Sequence, residues 1–301
     1  MGAHLSATRR ECLQLLAFAA LAACTPAPRD EIAAAMAKIK PLFKRKTPPQ
    51  PGDWLAEHKE PGQSYQQFRA QVRGRAAEKY STLRLVPIGP LSESQSAVLL
   101  ATQDFLQPFF GLALAVDEPA RIEDFPDDAG RIHPELEVPQ LLTSYLLNKV
   151  LLPRRQDRDA AVLGITAIDL WPGPGWNFVF GQASLTERVG VWSMARNGDP
   201  DEGPAMRDLA AIRTAMTATH ETGHMFGIRH CVAYQCGMNG SNHSDERDRH
   251  PIEFCPECQA KLWWTCGLNP LTRSRALEAV ARKHGFTRVA ADFARQSEAL
   301  S

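Results

Sequence analysis

Twelve consecutive residues carry a spacing suited to chemistry: His220-Glu-Thr-Gly-His224-Met-Phe-Gly227-Ile-Arg-His230-Cys231. On a helix, positions four apart lie about 40° apart around the axis. His220 and His224 can therefore reach one ion, at Zn–N distances of about 2.0–2.1 Å. Glu221 sits beside them, placed to touch a metal-bound water rather than the metal. Gly227 tolerates a positive φ, so it can end the helix and turn the chain back, which brings in His230 as a third ligand. Three protein ligands leave a fourth position open to water, the arrangement of a catalytic zinc. At this composition HExxH alone would arise in about one chain in a hundred, and the extended pattern in about one in tens of thousands. The extension carries the weight.

The cysteines cluster next to it. Of seven, five fall between Cys231 and Cys266, and only Cys12 and Cys24 lie elsewhere. Cys231, Cys236, Cys255 and Cys258 supply four thiolates, and Cys255-Pro-Glu-Cys258 has the spacing of a zinc knuckle. The expectation is a closed structural zinc, with two disulfides as the competing reading; Cys266 is left over as a buried or free thiol.

Elements that would position these groups follow from the patterning. Residues 83–88 read as a strand ended by Gly89-Pro90, and Ser92 with Gln95 as a capping box for a helix to about Phe105. Further strands are expected over 112–116, 160–169, 176–185 and 189–195, the last two forming a hairpin, and a helix over 139–152. Pro204 opens the helix that carries His220 and His224, and two short helices, 271–284 and 287–300, close the chain as a lid or brace. Alternating strands and helices predict an α/β domain with a twisted mixed sheet, one antiparallel edge strand and a small helical C-terminal subdomain from about 228. The edge strand offers a place for an extended peptide, with Gly181, Gln182 and Ala183 as substrate-binding candidates and Gly181 allowing close backbone approach; an ordinary edge strand with one core face is the competing reading.

Before this domain, which is expected over 53–301, residues 25–52 read as a Pro/Lys-rich linker. Residues 1–24 pair Arg9-Arg10 with a short apolar run ending at Leu21-Ala-Ala-Cys24. That run is similar to a bacterial lipoprotein signal, which implies an envelope or periplasmic lipoprotein anchored by a lipid on Cys24. A cytoplasmic location is the alternative. No run of 18 apolar residues predicts an ordinary spanning helix, and a formal net charge of zero gives no electrostatic ground for a nucleic-acid partner.

The histidine pattern resembles the metzincin metallopeptidases, whose sites lie over a Met-turn; Met238 falls where that methionine would be. HExxHxxGxxHC followed by CxxxxCxM and CxxC is similar to the archaemetzincins, as are residues 51–54, 165–169, 176–185 and 240–243, with animal-type members in view. The resemblance implies a catalytic zinc on His220, His224 and His230, Glu221 as base toward a zinc-bound water, a second zinc on Cys231, Cys236, Cys255 and Cys258, and a peptide substrate. Many metzincins add a tyrosine beyond the Met-turn to hold the oxyanion, but no tyrosine follows Tyr234 here. Asn242 and His243 are the candidates to replace it. A zinc-stabilised peptide-binding protein with little turnover, or a zinc carrier, are the readings from other classes.

Overall fold

The computed structural model describes residues 29–301 apart from Arg73; the run ending at Cys24 lies outside them. The described strands are β1 (Thr82–Ile88), β2 (Ala113–Val116), β3 (Gly130–Ile132), β4 (Pro139–Leu142), β5 (Asp159–Thr166), β6 (Asp169–Trp171), β7 (Gly181–Ser184) and β8 (Val189–Ser193). Five of them form a sheet in the order β2-β1-β5-β8-β7. β2, β1, β5 and β8 run parallel, and only β7 at the edge is antiparallel. The mixed sheet with one antiparallel edge is as expected.

Side chains alternate across a strand, so both faces of a covered sheet must be apolar. Leu83, Leu85, Leu163, Ile165 and Trp192 enter one core, while Val86, Ile88, Val162, Val189 and Val191 enter the other. The first core is closed by α5 (Glu93–Phe110) and α7 (Pro204–Met225), the fifth and seventh α-helices among the described residues. They follow α1 (Arg29–Ile39), α2 (Trp54–Glu57), α3 (Tyr65–Gln71) and α4 (Ala76–Lys79), with α6 (Thr143–Tyr145) between them. Ser92 caps α5, accepting from the Gln95 amide while the Gln95 side chain accepts from Ser92, an arrangement of the kind that contributes about 1 kcal/mol. The second core is closed by a π-helical run, Leu146–Leu151, that continues α6. A Cβ at Gly164 would lie 2.9 Å from Leu151, so this helix rests directly on β5.

Two expectations change. The helix expected over 139–152 starts late, because Pro139–Leu142 pairs as β4 with β6 in a second sheet, β3-β4-β6. The Gln140 amide donates to Asp169 Oδ2 at 2.7 Å and fixes that pairing. Residues 29–46, expected within a linker, are packed against the body. Ile32 and Ile39 of α1 are fully buried, and Lys44 and Lys46 exchange backbone hydrogen bonds with Gln235 and Ala233.

The remaining helices are α8 (Ser244–Asp248), α9 (Pro256–Cys266), α10 (Pro270–Lys283) and α11 (Thr287–Leu300). α9 went unread because its start doubles as the cysteine knuckle, although Pro256 at its first turn and Gly267 at φ 66° past its end are ordinary punctuation. α10 braces α5 and is no lid: Arg273 Nε donates to Phe109 O at 2.9 Å, and Lys283 and His284 bond Asp104.

Candidate metal centres

The last turns of α7 place His220 and His224 side by side, ring centroids 4.6 Å apart. Gly227, at φ 82°, turns the chain back, and His230 closes the group with its ring 5.2 and 4.9 Å from the other two. One ring nitrogen from each can lie within 4.8 Å of the others. His220 and His224 approach through Nε2, 3.0 Å apart. Each Nδ1 faces an oxygen that can only accept, so each must donate: His220 to Gly237 O at 2.8 Å, His224 to Ile228 O at 2.7 Å, and His230 to the Glu60 carboxylate at 2.9 Å. That fixes every tautomer with a lone pair on Nε2. Burial, then the neighbouring imidazoles, lower the pKa of both His220 and His224 to about 3, so both rings are neutral at pH 7. Corners of a tetrahedron with 2.0–2.1 Å bonds lie about 3.3 Å apart, so this donor set fits zinc.

Glu221, half-buried beside them, lines a cleft of about 480 Å³ with His220. Burial pushes its carboxyl above the usual range, against the pull of His224 and His230.

Beneath α7 lies Met238, fully buried. A Cβ at Gly223 would meet its Sδ at 2.7 Å, so glycine between His220 and His224 lets the helix settle on that thioether. The loop carrying Met238 is held by Asn239, whose side chain donates to Cys231 O and Tyr234 O and accepts from the Cys236 amide.

Glu60 was not found from the sequence. It belongs to a strap pinned at Trp54, whose indole donates to Glu60 Oε1 at 3.0 Å and whose amide donates to Glu246 Oε2 at 2.9 Å. Trp54 lies against Gly240, where a Cβ would come within 2.5 Å of the ring. The stretch 51–54 did signal that the strap matters, but nothing local ties Glu60 to a histidine far along the chain.

The four cysteines converge as well, with Sγ atoms within 4.8 Å of one another and all four buried. Cys231 and Cys255 are 3.6 Å apart as free thiols, far beyond a disulfide bond. Zinc–sulfur bonds of about 2.3 Å put tetrahedral corners about 3.8 Å apart, so this set also fits zinc. Burial drives Cys236 and Cys255 well above the ordinary thiol range, while hydrogen bonds from Cys236 and the other thiols draw Cys231 down. Four thiols so close would ionise together only around a cation. The Cys255 amide donates to Cys236 Sγ at 3.1 Å. Lys261, one turn beyond Cys258 on α9 and 1% exposed, sets its ammonium 3.9 Å from Cys258 Sγ and donates to Gln63 O at 2.5 Å. The i,i+3 spacing from Cys258 was a readable signal for this lysine. Cys266 is buried outside the cluster.

Gly181, Gln182 and Ala183 lie on β7 at the sheet edge. The reason for glycine at 181 is internal: a Cβ would stand 3.0 Å from Trp192 Cβ and Val191 O on β8. The Gln182 side chain accepts a hydrogen bond from the Thr143 hydroxyl. Asn242 and His243 are engaged elsewhere: Asn242 donates to Gly52 O, and His243 Nδ1 accepts from the Glu246 amide at the start of α8. Neither lines the cleft, whose walls instead include Phe180, Met216, Arg247 and His250.

Residues 145–263, which hold both clusters, match the profile of peptidase family M54. By class the chain is a zinc metallopeptidase. Archaemetzincin-2 of Rattus norvegicus and of Homo sapiens are each 32% identical to it over 268 residues, covering 78% of this chain and 74% of theirs. An archaemetzincin of Methanopyrus kandleri is 44% identical over 101 residues, which is 34% of this chain and 54% of that one. A crystal structure of archaemetzincin from the same organism superposes with TM-score 0.49 at 31% identity, covering 61% of this chain and 93% of the other. The chain belongs to the archaemetzincin family.

Proposed function

We propose that this protein hydrolyses peptide bonds at a zinc held by His220, His224 and His230, with Glu221 as general base. The observation that carries this reading is the set of three Nδ1–H donors, each spent on an oxygen, which leaves the Nε2 lone pairs free for one ion. Bound zinc supplies a Lewis acid that polarises the scissile carbonyl and lowers the pKa of water. Glu221 takes the proton as the water oxygen bonds to the carbonyl carbon. As the C–N bond breaks, Glu221 returns that proton to the leaving nitrogen. Its place in the cleft wall beside His220 suits both transfers.

In the same reading Met238 is the apolar floor of a Met-turn, and Cys231, Cys236, Cys255 and Cys258 hold a second, structural zinc whose thiolate charge Lys261 partly offsets. The free outer edge of β7 is the place for an extended peptide, supported by its position at the end of the sheet. An envelope location through a lipid on Cys24 goes with this proposal on the strength of residues 9–24 alone.

The test is Glu221→Gln, assayed on a peptide library with metal content measured in parallel. Full zinc with turnover lost is the expected result. Cleavage at the wild-type rate would overturn the role of Glu221. A wild type that binds peptides and cleaves none would leave a peptide-binding protein instead.

A further inference from the structure

Ser241 and His250 stand on either side of α8 and share a wall of the cleft that holds His220 and Glu221. The Ser241 hydroxyl oxygen lies 3.2 Å from His250 Nδ1. The other ring nitrogen settles which of the two donates. His250 Nε2 is 3.2 Å from the Lys46 ammonium, which has hydrogens and no lone pair and can only donate. Nε2 therefore keeps its lone pair, the proton of the ring is on Nδ1, and Nδ1 donates to Ser241 Oγ. Burial, the largest cause, holds the His250 pKa down at about 3, so the ring is neutral at pH 7 and has that one proton. With an N–H aimed at its oxygen, the Ser241 hydroxyl cannot turn its own hydrogen to His250. No other side-chain partner for it stands among the described residues, and Ser241 is only half-buried in the cleft wall. Its O–H is thus left for whatever enters the cleft. The polarity is the reverse of a nucleophilic pair, in which a histidine lone pair takes the serine proton. Here Lys46 occupies that lone pair, so Ser241 is a hydrogen-bond donor and no nucleophile. The wall also contains Gly237, whose carbonyl accepts from His220 Nδ1 and which precedes Ser241 by four residues.

We propose that Ser241 is a substrate-binding residue whose hydroxyl donates a hydrogen bond to a peptide carbonyl beside the scissile bond. His250 is the positioning residue that turns the hydroxyl outward, and Lys46 fixes the His250 tautomer. This deepens the peptidase reading and rests on it: Ser241 shares a cleft with the proposed base, so the carbonyl belongs to a residue near the bond that is cut. An ammonium, a neutral imidazole and a hydroxyl in series polarise one another, which makes the last donor stronger than a serine that bonds water alone. Such an end fits an acceptor without a proton of its own, and a peptide backbone offers one at every residue.

The experiment uses the zinc-loaded full chain carrying Glu221→Gln, so that peptides bind without being consumed. A library peptide that binds is titrated beside isosteres in which one amide at a time, on either side of the scissile bond, is replaced by an alkene that cannot accept. The expected result is that one isostere binds about fivefold or more weakly than the parent. Adding Ser241→Ala should weaken the parent by a similar factor and erase the difference between the two ligands, the mark of a direct contact in a double-mutant cycle. Ser241→Thr keeps the hydroxyl and should keep the discrimination. Nitrogen-15 spectra of the imidazoles should show His250 neutral and protonated on Nδ1, a signature that a merely structural histidine does not require. Isostere losses of equal size with serine and with alanine at 241 would overturn the proposal, and so would a His250 ring protonated on Nε2. Discrimination that depends on Ser241 in a chain whose wild type cleaves nothing would sink the peptidase reading and leave the carbonyl contact standing.

Discussion

Glu60 and His230 stand 170 positions apart and are joined by a 2.9 Å hydrogen bond from the imidazole Nδ1 to the carboxylate. The other two histidines of the group give their Nδ1 protons to backbone carbonyls, Gly237 O and Ile228 O. Only the third is held by a charged side chain, and it is the one on a loop instead of a helix. A carboxylate behind a ligand imidazole orients the ring and makes Nε2 more basic. Glu60→Gln keeps an acceptor and removes the charge. Zinc affinity at the histidine site should fall about tenfold or more, with the fold intact by circular dichroism. Chelator competition measures it, and unchanged affinity would count against a role for Glu60 in holding the ion.

His230 and Cys231 share a peptide bond, yet one side chain joins the histidines and the other the thiols. The Cys231 amide also donates to Met238 O at 2.7 Å, which ties the Met238 loop to the same point. If the proposed thiol-site zinc is held there, Cys258→Ser, on a different element, should therefore lose that zinc and weaken zinc binding at the histidine site. Retention of wild-type affinity at that site in metal titrations would show the two centres to be independent.

Gly223→Ala sets two effects against each other. Alanine in a helix interior gains up to about 1 kcal/mol over glycine. The new Cβ would stand 2.7 Å from Met238 Sδ and 3.2 Å from Phe254 Cζ, both fully buried, and overpacking of this kind costs about 1–3 kcal/mol. The clash should win, so thermal unfolding should show a lower Tm. A raised Tm would mean that the Met238 loop yields freely.

His250 is buried, its Nδ1 beside Ser241 Oγ and its Nε2 beside the Lys46 ammonium, and its pKa is lowered to about 3, chiefly by burial. The unfolded chain takes up this proton near pH 6.5 and the folded chain only near 3, so between those values the unfolded state binds more protons. Stability is therefore full above about pH 6.5 and is lost as pH falls toward 3, by about 2 kcal/mol at pH 5 from this group alone. Denaturant titrations of wild type and His250→Gln at pH 7 and pH 5 should show a smaller pH loss in the variant. Equal losses would mean that His250 does not set this dependence.

Much of the site was legible because its grammar is local. The His220–His224 pair needs only a helical period, Gly227 only a positive φ, and the Cys255–Cys258 knuckle only a short turn. Ser92 and Gln95 announce α5 in the same way. Parallel strands such as β5 show as short apolar runs, because both their faces are covered. The misreadings arise where one segment serves two elements. Pro139–Leu142 has the apolar character of a helix start but is drawn into β4 by β6, and the cysteine knuckle hides the first turn of α9.

The sequence by itself determined which histidines and which cysteines gather into two clusters, that Glu221 stands beside the first, and the mixed α/β character of the sheet. Residues four apart on a helix, or three apart in a turn, meet whatever the rest of the chain does. Only the tertiary structure decided that Glu60 stands behind His230 and that Lys261 faces the thiol cluster. Those relations depend on where loops and helices distant in the chain come to rest. The strap at Trp54 reaches its place by packing on Gly240 and bonding Glu246, interactions that no periodicity encodes.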